Sequence, residues 1–314
     1  MSNIDERYLL IGGKGFIGKN IQNSFNQQDV VFKCVGSELS NNNFHYALHA
    51  AVNVFSPTRI VFLAAKVGSM ASIRDNPFEF IMENSKIFIE TFSVLKRCVD
   101  EGHKFQILNI ISNCVYPAIS DYQSEQDIFQ GVPHSSVEPF AQAKRLLIAL
   151  GNNFSISHDI ELLNLVLANS FGPYDHLDSA RSHALTGMIV RMIKAKQLGN
   201  KTFDVWGTGA PIRSWLYAPD FADQVIRIFN ERAMWKQKIL NYPPSVQNLS
   251  IKELALQIAR EVGFEGEINF DTSKGDGDPI KILKSNKFEK IFKPEMTDFS
   301  EALRETVLYF KDKV

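Results

Sequence analysis

Apolar residues in the first half of the chain fall into short continuous runs separated by longer stretches of helical period. Residues 8–11, 30–35, 60–63, 106–111 and 161–167 are rich in Val, Ile, Leu and Phe with little polar alternation, which predicts strands buried on both faces. Residues 16–26, 78–99 and 141–153 repeat apolar positions every three or four residues and predict helices. Strand and helix in alternation predict an α/β fold, a Rossmann-type doubly wound parallel sheet with helices on both faces. Ligands of such sheets gather at the carboxyl ends of the strands.

After about residue 168 the regularity weakens, with loop-like stretches at 171–183, 206–214 and 239–250 and a Gly/Asp-rich segment at 273–278. The expected division is a dinucleotide-binding domain over 1–167, joined by a returning segment near 214–238, and a smaller C-terminal α/β substrate lobe over 168–213 and 239–314. The absence of low-complexity linkers predicts that the two share one cleft.

Charge changes this picture by exclusion. Lys plus Arg (34) nearly cancel Asp plus Glu (35), so no basic field favours nucleic acid or an acidic membrane, and an anionic ligand must be held by a few placed cations. Cys34, Cys98 and Cys114 lack paired metal-site spacing, and their odd number fits a reducing compartment. A charged N-terminus running straight into a strand predicts a cytoplasmic protein without a signal peptide. Apolar runs stop well short of the roughly 20 residues that span a bilayer.

The first strand runs into Gly12-Gly13-Lys14-Gly15-Phe16-Ile17-Gly18. Gly12 permits a tight turn, Gly15 lets backbone N–H groups approach a pyrophosphate, and Gly18 allows close packing of helix on strand. An ordinary glycine turn is the plainer alternative, but the strand–turn–helix context favours a dinucleotide. No acidic residue closes the strand at 30–35 to take an adenosine 2′-hydroxyl, and Lys14 is suited to a 2′-phosphate, so NADP is expected over NAD.

The strand at 106–111 leads into Ser112-Asn113-Cys114-Val115-Tyr116-Pro117, and Glu138-Pro139-Phe140-Ala141-Gln142-Ala143-Lys144 follows. The glycine spacing, the serine and the lysine resemble the extended short-chain dehydrogenases/reductases, which place a Tyr-x-x-x-Lys on this helix. Phe140 stands at the tyrosine position. The four-residue spacing puts residues 140 and 144 on one helix face. In the family's pair the ammonium lowers the phenol pKa and the phenol passes a proton to a carbonyl. A phenyl ring cannot, whether the tyrosine was replaced deliberately or lost by divergence, so carbonyl reduction is expected to be impaired while binding survives.

Further segments resemble the GDP-L-fucose synthase family within that group: Leu63-Ala64-Ala65-Lys66-Val67-Gly68, Asn169-Ser170-Phe171-Gly172-Pro173-Tyr174-Asp175, Ser182-His183 and Trp206-Gly207-Thr208-Gly209-Ala210-Pro211-Ile212-Arg213. The likeness runs from Gly12 to about Asp223. It implies epimerisation at C3 and C5 of a 4-keto nucleotide sugar, followed by reduction of the ketone, with Cys114 and His183 at the proton-exchanging positions. Thiol and imidazole can exchange protons near neutral pH, and a neighbouring carbonyl acidifies both C–H bonds.

The resemblance also implies cofactor contacts from Gly12, Gly13, Lys14, Gly15, Phe16, Ile17, Gly18, Ala64, Ala65, Lys144, Ala168 and Asn169. It implies substrate contacts from Lys66, Val67, Asn169, Arg191, Trp206 and Arg213, the arginines suiting bidentate phosphate contacts. A structural salt bridge is the plainer fate of each arginine, as a small core residue is of Cys114. The turn Lys274-Gly275-Asp276-Gly277-Asp278 is a weaker candidate for closing over the base or sugar.

A dehydratase would carry Thr-Asp/Glu-Glu near the serine, which this chain lacks. A plain 4-ketoreductase, a 4-epimerase or a non-catalytic dinucleotide sensor remain alternatives. The family likeness further implies a homodimer built on helices 78–99 and 140–153 through Phe80, Ile81, Phe88, Phe92, Leu95, Leu146 and Leu147, unless these pack on the sheet.

Overall fold

The computed structural model describes residues 6–36, 43–118, 122–178 and 181–314. Strands β1 (Tyr8–Ile11), β2 (Phe32–Val35), β3 (Arg59–Phe62), β4 (Gln106–Ser112) and β5 (Leu162–Leu167) lie within a residue or two of their expected places. Helices α1 (Phe16–Gln27), α2 (Phe44–Phe55), α3 (Met70–Asp75), α4 (Pro77–Asp100) and α5 (Glu138–His158) connect them. The helix α2 was not expected from periodicity, although it buries Phe44, Leu48, Ala51 and Val52 at helical spacing. Its polar face carries the His and Asn residues that dilute the pattern.

The main sheet is wholly parallel in the order β2-β1-β3-β4-β5-β9, where β9 is Ile239–Asn241. That last strand falls in a stretch expected to be loop. Three residues are too few to show a period, and Asn241 is polar for a reason only the fold reveals. Its side chain accepts from the Tyr116 hydroxyl at 2.5 Å and donates to the carbonyls of Gln123 and Lys284 at 2.9 and 2.8 Å.

The remaining elements are β6 (Asn169–Phe171), α6 (Ala184–Gln197), β7 (Thr202–Trp206), β8 (Ile212–Tyr217), α7 (Ala218–Asn230), α8 (Arg232–Trp235), β10 (Val246–Ser250), α9 (Ile251–Val262), β11 (Glu267–Asp271), β12 (Ile280–Lys281), α10 (Asn286–Ile291) and α11 (Phe299–Lys311). Helix α9 is closed by a Ser250/Glu253 capping box and by Gly263 at φ 70°. Strand β8 holds β6, β10 and β12 in a second small sheet, while β11 pairs with β7.

Two apolar cores result. One lies on both faces of the main sheet and takes in Leu216, Phe221, Leu240, Tyr242, Leu283 and Phe288 from later in the chain. The other joins α6, α9 and α11 around Leu185, Ile189, Leu254, Ile258 and Leu303. Residues near 240 and 283–288 thus pack with the dinucleotide-type unit, beyond the segment 214–238 expected to return to it.

The helix residues expected to mediate dimerisation need correction. Phe80, Phe88, Phe92, Leu95 and Leu147 are buried within the chain itself, because α4 and α5 turn their most apolar faces to the sheet. The outward stripe of α4 is Phe78, Met82 and Ile89, each about half exposed or more. Among the described residues no helix is long and apolar enough to cross a membrane.

Candidate active site

Strand β1 has β2 on one side and β3 on the other, so the chain leaves it in one direction and returns in the other. The resulting crevice opens above the carboxyl ends of β1 and β3. Gly12 lies there at φ 88°, and a Cβ on it would stand 2.5 Å from Ala64 N, so the loops after β1 and β3 touch through a glycine. Gly18 is equally demanded by packing, since its Cβ would fall 2.2 Å from Gly13 O.

Gly15 differs. Its Cβ would meet only Gly12 O at 3.4 Å, so nothing in the protein requires a glycine there. Gly15 is also the N-cap of α1, with no side-chain cap and no acidic residue in the first turn. Exposed N–H dipoles without a competing carboxylate fit a pyrophosphate. Gln22 steadies the turn by donating to Gly13 O at 2.7 Å, and Phe16 is buried beneath it. Lys14 lies close enough to Cys34 on β2 to act on its thiol, which burial pushes up to about 11 against the pull of that ammonium.

Across the crevice, β4 ends at Ser112, whose Oγ accepts from Cys114 N at 3.4 Å and so caps a 3₁₀ turn at Asn113–Val115. Cys114 is buried, 5% exposed. Burial raises its thiol pKa, while the Ser112 hydrogen bond and the ammonium groups of Lys281 and Lys144 pull the other way. Helix α5 opens on Glu138-Pro139, which puts Phe140 in its first turn and Lys144 one turn deeper. Lys144 Nζ donates to Ile110 O at 3.1 Å, lies 5.2 Å from the Phe88 ring centroid, and is pushed down to about 8 by burial. The aromatic ring one turn before it on α5 is that of Phe140.

His183 is the N-cap of α6, and its ring lies 5.3 Å from that of Phe16 at the start of α1. Its Nδ1 is 3.1 Å from Asp175 Oδ1. Asn20 of α1 also reaches this loop, donating to Pro173 O at 2.9 Å. The imidazole and its loop are therefore tied to helix α1. Burial pushes its pKa down, but the Asp175 charge and hydrogen bond override that, and the net shift is upward.

Arg191 on α6 lies 5.0 Å from the ring centroids of both Phe203 and Trp206, with the indole 53% exposed. Its Nη1 donates to Asp204 O at 3.1 Å. Arg213 on β8 is 8% exposed and donates to Ile212 O at 2.8 Å. The turn around Gly277 packs over it, since a Cβ there would be 3.4 Å from Arg213 Nη2 and 3.1 Å from Met70 Sδ on the other lobe. Asp276 latches the same turn to Thr208 with bonds of 2.9 and 2.7 Å.

The fold thus gathers Ser112, Cys114, Phe140 and Lys144 on adjoining elements, and the glycine turn with Ala64 on another pair. Asn169 is a junction, donating to Ser214 O at 3.1 Å, and Ala168 is buried just before it. Ala65 is half-buried beside them. Lys66 stands apart: its ammonium is held by Glu83 at 2.8 Å, and Asn84 takes both its backbone groups, leaving Val67 37% exposed at the rim. Asp175 and Lys281 were not anticipated. Asp175 is eight residues from His183 across a loop of no readable period, and Lys281 lies on a two-residue strand.

A parallel sheet with its glycine turn at the switch point, followed by Ser112 and Lys144, defines a dinucleotide-dependent enzyme of the extended short-chain dehydrogenase/reductase type. The family described as NAD dependent epimerase/dehydratase matches residues 8–242, and the chain belongs to it. It is 26% identical over 310 residues to GDP-L-fucose synthase of Dictyostelium discoideum, covering 97% of this chain and 95% of that one. It is 30% identical over 260 residues to probable GDP-L-fucose synthase 1 of Oryza sativa subsp. japonica, covering 82% and 77%. The crystal structure of a GDP-L-fucose synthetase from Naegleria fowleri bound to NADP superposes with a TM-score of 0.82 at 27% identity, covering 98% of this chain and 95% of that one.

Proposed function

We propose that this protein is an NADP-dependent epimerase/reductase for a 4-keto GDP-sugar, in which proton exchange beside the ketone outlasts reduction of the ketone. The observation that carries this reading is the Ser112, Cys114 and Lys144 cluster with Phe140 in the place of a phenol. The uncapped start of α1 and the space at Gly15 suit the cofactor pyrophosphate, with Ala64, Ala65, Ala168, Asn169 and Lys144 around the remainder. When bound, NADPH supplies the hydride.

The chain's own groups do the rest. Ser112 would polarise the ketone oxygen, Lys144 would orient the ribose, and Cys114 and His183 would exchange protons at the carbons beside the carbonyl. Arg191, Trp206 and Arg213 would take the nucleotide diphosphate, two cations and a stacking surface being what a chain without a basic field needs. Three free cysteines are in keeping with a cytoplasmic setting. The outward stripe of α4 and a groove of about 410 Å³ against α5, lined by Ile89, Leu146 and Leu150, suit pairing into a homodimer.

The test is deuterium uptake from heavy water at C3 and C5 of a 4-keto-6-deoxy GDP-sugar, followed by NMR alongside NADPH consumption. Uptake abolished by Cys114→Ser or His183→Ala supports the reading. No uptake, either by this chain or after Phe140→Tyr restores reduction, leaves a plain 4-ketoreductase. A chain inactive in both assays even after that repair is a dinucleotide sensor.

A further inference from the structure

We propose that Asp175 is a positioning residue for proton transfer: its buried carboxylate takes the Nδ1–H of His183 and leaves Nε2 as the atom that exchanges protons with the sugar. This rests on the role just assigned to His183.

The geometry is specific to an orienting group. The Asp175 side chain has no exposed surface, whereas that of His183 is 38% exposed, so one partner is sealed in the protein and the other is partly open. The carboxylate lies 3.1 and 3.2 Å from Nδ1 through its two oxygens. It also accepts from His183 N at 3.2 Å and from His176 N at 2.8 Å, which fixes the carboxylate itself. Among the described residues His183 Nε2 has no protein partner. An ionised carboxylate can only accept, so the neutral imidazole must carry its proton on Nδ1 and its lone pair on Nε2.

Backbone conformation supports the same assignment. Gly172 and Tyr174, just before Asp175, have φ of 139° and 70°, and the turn they make carries the carboxylate back under α6. The ring is also braced by Phe16, so it is held from two sides. Asp175 is the charged group that acts on His183, while the neighbouring His176 also feels Arg181 on the same loop and Lys19 on α1, both cationic. Arg181 is paired with Asp178. Asp175 is thus the anion that faces the imidazole, and it favours the imidazolium formed when Nε2 takes a proton.

The experiment is long-range ¹⁵N–¹H NMR of the histidine rings in the full-length protein across pH, with His183 assigned by its loss in His183→Gln. The wild-type neutral ring is expected as the Nδ1–H tautomer. Asp175→Asn keeps the shape but not the charge, and it is expected to increase the acid strength of the imidazolium at least about tenfold and to mix the tautomers. Asp175→Glu is expected to restore part of the wild-type behaviour. Deuterium uptake should fall in kcat with little change in KM for the sugar.

A wild-type ring protonated on Nε2 overturns the proposal whether or not any variant folds. So does an Asp175→Asn protein with unchanged tautomer and titration, which would make Asp175 a loop anchor only. If the wild type shows no deuterium uptake, the proposed function fails, while the tautomer still decides the role of Asp175.

Discussion

The ammonium of Lys144 stands 5.9 Å from the centroid of the Phe140 ring, one helical turn away on α5. Its hydrogen bond goes to the carbonyl of Ile110. At the position where the family resemblance implies a phenol, this chain has the apolar ring of Phe140, only 9% exposed. On the proposed reading, the site keeps the cation of a Tyr–Lys pair without its phenol.

Phe140→Tyr should restore ketone reduction by about 10²–10⁴-fold, the usual worth of a placed general acid. The measurement is NADPH consumption with a 4-keto GDP-sugar under saturating conditions. A gain of less than a few-fold would mean that another group already delivers the proton.

Gly15 and Gly18 should separate binding from folding. Gly18→Ala forces a Cβ to 2.2 Å from Gly13 O and should destabilise by about 1–3 kcal/mol, seen as a lower Tm. Gly15→Ala has ordinary contact at 3.4 Å and an unstrained φ of −78°, so Tm should hold while NADPH Kd rises by about tenfold, or about 1.4 kcal/mol. Equal loss of Tm in both variants would refute the distinction.

The pH dependence of proton exchange should carry the mark of Lys281. Burial raises the Cys114 thiol, so the thiolate forms only as pH climbs, and Lys281 is one of two ammonium groups opposing that rise. Lys281→Met removes one opposing charge. The rising limb of deuterium uptake against pH should then move to higher pH, with the His183 titration unchanged. A limb that stays in place would separate Cys114 from the rate.

Ile89→Glu combined with Met82→Glu should give a monomer by light scattering, with unchanged far-UV circular dichroism. Both side chains point outward from α4, 49% and 51% exposed, so a charge there costs the chain little by itself. It would cost a packed interface much more. Phe80→Glu, by contrast, should unfold the protein, because that ring is only 2% exposed.

By itself the sequence determined the parallel α/β architecture, the glycine turn between β1 and α1, and the placing of Ser112, Cys114 and Lys144 on adjoining elements. Each is a local signal: a run of apolar residues, a glycine spacing, two side chains on one helix face. That Phe140 and Lys144 share one face of α5 was legible for the same reason, since four residues separate them along a single helix. Tertiary structure decided what depends on contacts between distant segments. Asn241 looks like a loop residue until Tyr116, Gln123 and Lys284 surround it. The apolar positions of α4 do not announce which side meets the sheet and which stays exposed, because both faces carry large hydrophobics. Lys281 lies on β12, a strand too short for any period, and reaches Cys114 only through the pairing of β12 with β8. Asp175 becomes meaningful when the turn through Gly172 and Tyr174 folds its carboxylate beneath His183. An isolated aspartate in a polar loop has no reason to be singled out. Buried at 3.1 Å from an imidazole, it sets which nitrogen carries the proton.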